Sequence, residues 1–141
     1  MKKIIALLLC CLFLAINTYA GERLYEDVQA KVVSAYDSII IVNIDGIPKV
    51  FGDNLKVKIK NIRLPNADSS CKEEVRLAPI AQSLLSELLK TNDTITLKNV
   101  IRSTSFQVEA DIILSDGANL RNILIDSSLA SGSLEKGWCE K

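Results

Sequence analysis

The side chains available for acid–base or metal chemistry are limited in this chain, because no histidine occurs among its 141 residues. Histidine is the commonest general base and metal ligand near neutral pH, so such chemistry must come from Asp, Glu, Lys or Tyr. The most informative stretch is residues 57–66, VKIKNIRLPN, which contains Lys58, Arg63 and Asn66. Lys58 can balance negative charge, but Arg63 opposes a divalent cation and Asn66 cannot take a proton from water. The segment therefore carries charge without the groups needed for metal binding or base catalysis.

The elements that must position these residues follow from hydrophobic periodicity. Apolar residues alternate with lysines over residues 55–62, which predicts a strand with Leu55, Val57 and Ile59 turned inward. Further strands are predicted from β-branched segments at residues 28–33, 38–44, 94–101 and 107–114. One apolar helical face predicts a helix over residues 79–90, beginning at Pro79 because proline is disfavoured inside a helix. A short helix is predicted at residues 118–125. The predicted fold is α+β, mainly β: a five-stranded OB-fold barrel with two short helices.

Short matches spread along the chain carry a family resemblance. Beyond residues 57–66 they are Asp37-Ser38-Ile39, Cys71 followed by Glu74 and Ala78, Ala110-Asp111, Asp116-Gly117 with Asn119-Leu120, Leu129-Ala130, and Trp138-Cys139. Their order and spacing resemble the staphylococcal nuclease (thermonuclease-like) family over roughly residues 28–139. The resemblance implies an OB-fold barrel of the staphylococcal nuclease type. It also implies calcium-dependent cleavage of phosphodiesters, with calcium held by two aspartates, a glutamate acting on water and two arginines clamping the phosphate.

One of the five site positions implied by the resemblance keeps its residue type. Asp37 matches one of the two aspartates, whereas Arg63 stands at the other and replaces an anionic ligand with a positive charge. Lys58 stands at the first arginine without its planar two-donor fork, Asn66 replaces the glutamate, and Gln107 stands at the second arginine. We therefore expect no catalytic residue, no metal site and no cofactor, with calcium entering only if a rearranged site exists.

Three alternatives remain open at these positions. Asp37 could be a turn residue that binds nothing, since Asp and Ser favour such positions. Arg63 could occupy the vacated metal site and pair with Asp37 as an internal ion pair. Asp68, Glu73 or Glu74 could supply new carboxylates, provided that they reach hydrogen-bond distance of the reacting groups.

The first 20 residues have the anatomy of a cleavable secretory signal, with Lys2, Lys3, an apolar run and small residues before a cleavage site after Ala20. The apolar run, roughly 13 residues, is shorter than the about 20 that a membrane anchor needs. Residues 21–27 are predicted to be a flexible lead-in and residues 28–141 to be one OB-fold domain. The predicted location is secreted or periplasmic.

Cys71 and Cys139 are the cysteines of the predicted mature chain. An oxidising compartment favours a disulfide bond between them. The alternatives are a reactive thiol or a thiolate metal site, although two cysteines without histidine are too few ligands for structural zinc. The bond would close a loop of about 70 residues and contribute roughly 4 kcal/mol to stability.

The net charge of the chain indicates which class of partner is favoured. Loss of Lys2 and Lys3 from 17 basic residues against 17 acidic ones leaves a formal net charge of −2. Non-specific nucleic-acid binding needs clustered surplus cations, so an exported or envelope protein is the favoured partner, although Tyr36, Phe106 and Trp138 could stack bases. The predicted function is an exported, catalytically degenerate nuclease-like domain that acts as a binding or interaction module. The alternatives are a calcium-dependent endonuclease with a rearranged site and a structural subunit of an envelope assembly.

Overall fold

The computed structural model of this chain describes residues 27–103, 106–132 and 138–139. The predicted signal segment and residues 21–26 of the predicted lead-in lie outside the described residues. The strands are β1 (Val28–Tyr36), β2 (Ile39–Asn43), β3 (Leu55–Ile59), β4 (Thr94–Arg102) and β5 (Gln107–Ile113). The helices are α1 (Lys49–Gly52), α2 (Lys72–Thr91) and α3 (Leu120–Asp126). Within the described ranges, no helix combines the length and apolar character needed to cross a membrane.

The strands close into a barrel in the order β1-β2-β3-β5-β4. Neighbouring strands are antiparallel except for β3 and β5, which pair in parallel with Val57 opposite Val108. A closed barrel with a helix between its third and fourth strands is an OB-fold-like architecture. The prediction of a mainly β, five-stranded OB-fold barrel is confirmed, and the structure adds the four-residue helix α1 to the two predicted ones.

Alternation along β3 separates the core from the outer face of the barrel. Val57 and Ile59 are fully buried and Leu55 is half-buried, as period-two patterning predicts, while Lys56 and Lys58 face outward. The core is completed by inward side chains of the other strands and of α2 and α3, among them Ile40, Val42, Leu85, Leu89, Ile95, Leu97, Ile112, Leu120 and Leu124. The barrel therefore has a continuous aliphatic interior.

Helix α2 begins at Lys72, so the predicted start at Pro79 is wrong. Its buried stripe continues on both sides of the proline, from Glu74 and Ala78 to Ala81. The N–H that Pro79 lacks would have bonded the carbonyl of Val75, and both residues are exposed, so this carbonyl lies on the solvent side of the helix. Burial of the opposite face outweighs the lost hydrogen bond.

Strand β3 ends at Ile59, before the predicted end at residue 62. Asn61 adopts a left-handed conformation with φ of 51°, which breaks the extended backbone. The chain then leaves the barrel and reaches Arg63, whose N–H and C=O both pair with Ser131 at 2.9 Å. This short bridge fixes the start of the loop that leads to α2.

Strand directions define two ends of the barrel. The β1–β2 turn and the carboxyl end of β3 lie at one end, which we call the β1–β2 end. The β2–β3 connection, which contains α1, and the β4–β5 loop lie at the other, which we call the β4–β5 end. Of the predicted site positions, Asp37, Arg63 and Asn66 belong to segments of the β1–β2 end.

Cys71 and Cys139 form the predicted disulfide bond, with their Cα atoms 5.8 Å apart. Cys71 is the N-cap residue of α2, so the bond attaches the C-terminal segment to the start of this helix. Closing a loop with a sequence separation of 68 constrains the unfolded chain and stabilises by about 4 kcal/mol in the chain-entropy account.

Candidate functional site

Asp37 lies in the two-residue turn between β1 and β2 in a left-handed conformation, with φ of 55°. Aspartate tolerates this conformation better than most residues because its short polar side chain can bond locally. The Asp37 N–H donates to Oε1 of Gln82 at 3.0 Å, and Nε2 of Gln82 donates to the Ala35 carbonyl at 3.2 Å. The Gln82 side chain of α2 thus holds the backbone of the turn, and the left-handed conformation gives a structural reason for aspartate at this position.

Arg63 and Glu74 form the main ion pair of the β1–β2 end. Nη2 of Arg63 donates to Oε1 of Glu74 at 2.8 Å, and the Glu74 side chain is only 3% exposed. The hydroxyl of Ser69 donates to the other oxygen, Oε2. The guanidinium also lies over the Trp138 ring, 5.5 Å from its centroid, in a cation–π contact. We call Arg63, Ser69, Glu74 and Trp138 the Arg63 cluster.

The hypothesis that Arg63 pairs with Asp37 is wrong, since the partner of Arg63 is Glu74. The reason is the early start of α2, which places Glu74 in the first helical turn, next to the loop that carries Arg63. A guanidinium and a buried carboxylate neutralise each other here, where the resemblance implied a cation held by aspartates. Trp138, which by its residue type could stack bases, lies instead against the guanidinium of this ion pair.

The three acidic residues that could have supplied new carboxylates, Asp68, Glu73 and Glu74, also form hydrogen bonds within the fold. Both oxygens of Glu74 accept hydrogen bonds within the Arg63 cluster. Both oxygens of Glu73 accept from Arg76, at 2.6 and 3.0 Å, and the hydrogen bond from Arg76 lowers the pKa of Glu73. Asp68 is exposed in a turn closed by its N–H, which donates to Oδ1 of Asn66 at 2.9 Å. Neither glutamate is held as a free base for water.

Asn66 and Asp37 line one depression of about 490 Å³, between the β1–β2 turn and α2. Asn66 uses its side-chain oxygen to close its own turn, an arrangement that aspartate and asparagine favour. Lys58, Arg63 and Gln107 do not line this depression. The structure therefore brings together two of the five predicted site positions.

Lys58 and Gln107 lie on the outer face of the barrel. Lys58 is opposite Glu109 in the β3–β5 register and pairs with it at 3.6 Å. Gln107 is opposite Lys56 and lines a different depression, at the β4–β5 end. A phosphate clamp of the kind implied by the resemblance needs two convergent cations, and here one position is an amide and the other is paired. Across the segments that the structure describes, no group of three or more Cys, Asp or Glu residues is placed to hold a metal ion.

At the β4–β5 end three large apolar side chains project into solvent, and of these the sequence indicated only Phe106 as a candidate binding residue. Val50 is 81% exposed, Phe51 66% and Phe106 91%. Val50 and Phe51 are carried by α1, which packs tightly because Gly52 lies where a Cβ would be 2.6 Å from the Ile47 side chain. Phe106 has φ of 59°, an unfavourable backbone conformation for an aromatic residue. Such strain is concentrated at functional sites in proteins.

An apolar pocket of about 330 Å³ lies beside these side chains. Seven of the eight residues around it are aliphatic, and the eighth is Arg102. A second depression of about 350 Å³ runs between Phe51 and Phe106 and shares Leu55, Arg102 and Val108 with the pocket. We call Val50, Phe51, Phe106 and the pocket the apolar surface.

The rim of the apolar surface carries three basic residues, while Asp27 and Asp45, which adjoin the pocket residues Val28 and Ile44, are paired with Lys98 and Lys31. Lys49, Lys56 and Arg102 are exposed, and none of them forms an ion pair among the described residues. The acid within the adjoining depression is Asp53. An apolar centre with a charged rim is the usual composition of a protein interface. The adjacent apolar residues Val50 and Phe51, between two predicted strands, were the sequence feature that could have indicated this surface.

No protein-family model matches this chain, and no curated protein matches it. The fold and surfaces define an OB-fold-like barrel with an internally neutralised polar end and an exposed apolar end. The resemblance to staphylococcal nucleases stays a prediction.

Proposed function

We propose that this chain is an exported binding module with a nuclease-like OB-fold that has lost phosphodiesterase chemistry and holds a protein partner at its apolar surface. The observation that carries the proposal is the exposure of Val50, Phe51 and Phe106 from two separate loops at one end of the barrel. Water-exposed aromatic side chains that cluster beside a pocket are typical of interaction sites.

A protein partner is favoured over nucleic acid by charge. The rim offers Lys49, Lys56 and Arg102 against Asp53, too few cations to neutralise a run of phosphates, and the predicted mature chain is acidic overall. A protein partner is favoured over a membrane because the exposed side chains border a concave apolar pocket, which a single side chain of a partner can fill. Because the barrel is closed, each of its strands is paired on both sides. A partner therefore has to contact side chains, since no free strand edge is present in the barrel for it to pair with.

Loss of catalysis is supported by the positions that the resemblance implies for chemistry. Arg63 is neutralised by Glu74, and Lys58 pairs with Glu109. Asn66 closes its own turn, and Gln107 carries no charge. Asp37 alone keeps a carboxylate at its position, and one carboxylate is a poor site for calcium, which takes several oxygen ligands.

Site-specific photo-crosslinking tests the binding proposal. The crosslinker p-benzoylphenylalanine would replace Phe51 or Phe106 in the chain expressed in its own cells, with Val33 and Ile80 as control positions of 51% and 45% exposure outside the surface. We expect both surface positions to capture the same protein and the controls not to capture it. Affinity for that purified protein should fall about tenfold or more in the Phe106→Ser variant, as for an interface hot spot. Capture of lipid or nucleic acid, identical capture at the control positions, or no capture would overturn the proposal.

Incubation of the purified chain with single-stranded DNA and calcium tests the loss of chemistry. We expect no cleavage. Chelator-sensitive cleavage that disappears in the Asp37→Ala variant would establish the alternative, a calcium-dependent endonuclease with a rearranged site.

A further inference from the structure

Strand β4 contains a bulge, and this bulge determines which β4 residues line the apolar pocket. Lys98 is opposite Asp111 and Ile101 is opposite Glu109, so two residues of β4 face one residue of β5 between these pairs. Asn99 absorbs the extra residue with a left-handed φ of 51°. Its side chain donates to Oδ2 of Asp111 at 2.7 Å, which holds the bulge in place.

The bulge changes which residues of β4 face the barrel interior. Ile95 and Leu97 point inward, and simple alternation would turn Asn99 and Ile101 inward after them. Because of the extra residue, Val100 and Arg102 line the end of the barrel instead. Regular pairing would have placed an amide and an isoleucine there. The observed register instead places a half-buried valine and an exposed arginine in the lining of the pocket.

We infer that this pocket is an anchor site for a ligand group that joins a large apolar moiety to an adjacent anion, as in a partner segment with a bulky apolar residue next to an aspartate or glutamate. The inference rests on the proposed function and deepens it. The cavity of about 330 Å³ with seven aliphatic lining residues accommodates the apolar moiety. Arg102 has no ion pair within the described segments and can present two parallel donors to a carboxylate.

Two fluorescent probes separate the apolar and the anionic parts of this site. The probe 1-anilinonaphthalene-8-sulfonate carries an aromatic group and an anion, whereas N-phenyl-1-naphthylamine carries the same aromatic group without the anion. We expect both to bind the native mature chain. Val100→Phe should fill the pocket and weaken both about tenfold, while Arg102→Gln should weaken the sulfonate about fivefold or more and the neutral probe by less than about twofold.

The matched control is Val33→Phe, which adds the same aromatic group to an exposed strand position away from the pocket. A second measurement does not depend on any variant folding: in the native chain, the sulfonate probe should shift the amide resonances of Val28, Ile44 and Val108 rather than those around Asp37. Absence of probe binding, binding unchanged by Val100→Phe in a folded variant, or equal losses for both probes in Arg102→Gln would overturn the inference.

The crosslinking experiment distinguishes failure of this inference from failure of the proposed function. If Val100→Phe leaves capture at Phe106 unchanged, the apolar surface binds a protein and the pocket does not anchor it. If vesicles of phosphatidylglycerol bind the chain and Arg102→Gln abolishes that binding, the anion is a lipid headgroup and the protein-segment inference fails.

Discussion

The two ends of the barrel satisfy their side chains in opposite ways. At the β1–β2 end, the Arg63 cluster pairs a guanidinium with a carboxylate that is 3% exposed, and the guanidinium also contacts the Trp138 ring. At the β4–β5 end, Phe106 is 91% exposed and the basic residues of the rim have no ion pairs in the part of the chain that the structure describes. The first arrangement contributes to folding and leaves little to offer a ligand. The second contributes little to folding and leaves its contacts for a partner.

In this chain, a predicted resemblance of sequence does not indicate the same chemistry. The segment from which we predicted a resemblance to a nuclease family forms contacts within the fold, since Arg63 pairs with Glu74. The segments that carry exposed apolar groups, α1 and the β4–β5 loop, contributed almost nothing to the resemblance. Function is therefore better sought where side chains lack partners than where the motif matches, because a fold is not evidence for one particular activity.

The largest effect is expected from the disulfide bond at the β1–β2 end. Replacing both cysteines, Cys71→Ser with Cys139→Ser, should lower the free energy of unfolding by about 4 kcal/mol, because a long loop in the unfolded chain is no longer closed. Urea unfolding measures this. Reduction of the native chain is the control and should give the same loss. If binding at the β4–β5 end is lost while the barrel remains folded, the two ends are not independent and the comparison fails.

A smaller loss is expected from breaking the Arg63 cluster. Arg63→Met should lower the free energy of unfolding by about 3 kcal/mol, because Glu74 is left as an uncompensated buried charge. The double variant Arg63→Met with Glu74→Leu should recover most of that loss, since neither charge then remains buried.

The control for this pair lies on the same helix. Arg76→Met breaks an exposed pair with Glu73 and should change the urea midpoint far less than Arg63→Met does. If Arg63→Met has the same effect with Glu74 present or absent, the pair contributes nothing and the β1–β2 end is not stabilised by charge neutralisation.

At the apolar surface we expect a substitution to stabilise the folded state rather than destabilise it. Phe106→Asn should raise the free energy of unfolding by about 0.5–1 kcal/mol, because asparagine adopts the left-handed backbone at residue 106 with less strain. Partner affinity should fall in the same variant. Phe51→Asn, in the short helix α1, is the control without positive φ and should give no gain. A clear destabilisation by Phe106→Asn would mean that this side chain contributes to folding.

Much of the barrel was predictable from the sequence because strand identity depends on local alternation. The inward positions Val57 and Ile59 follow from period two, and the Cys71–Cys139 bond follows from there being two cysteines in the predicted mature chain. The partner of Arg63 was not predictable in this way, because it depends on where α2 starts, and Pro79 misplaced that start. The apolar pocket depends on the bulge at Asn99, which reverses inward and outward positions; the sequence shows a break in alternation at Lys98-Asn99, but that break alone does not give the register with β5.

The smallest effect concerns two adjacent glutamates of α2 that form ion pairs of different exposure. Glu73 accepts two hydrogen bonds from Arg76 on the surface, while the buried carboxylate of Glu74 pairs with the partly exposed Arg63. The hydrogen bond from Arg76 lowers the pKa of Glu73. A lowered pKa stabilises the folded state above the unfolded pKa of the group, and this contribution disappears as the pH falls through the folded value.

We expect NMR titration to place the Glu73 midpoint below its ordinary value in the native chain and at that value in Arg76→Met. Because the pair is exposed, salt should remove the shift as well. A shift that survives both changes would mean that helix position rather than Arg76 sets it, and the contrast between the exposed and the buried pair would then need another cause.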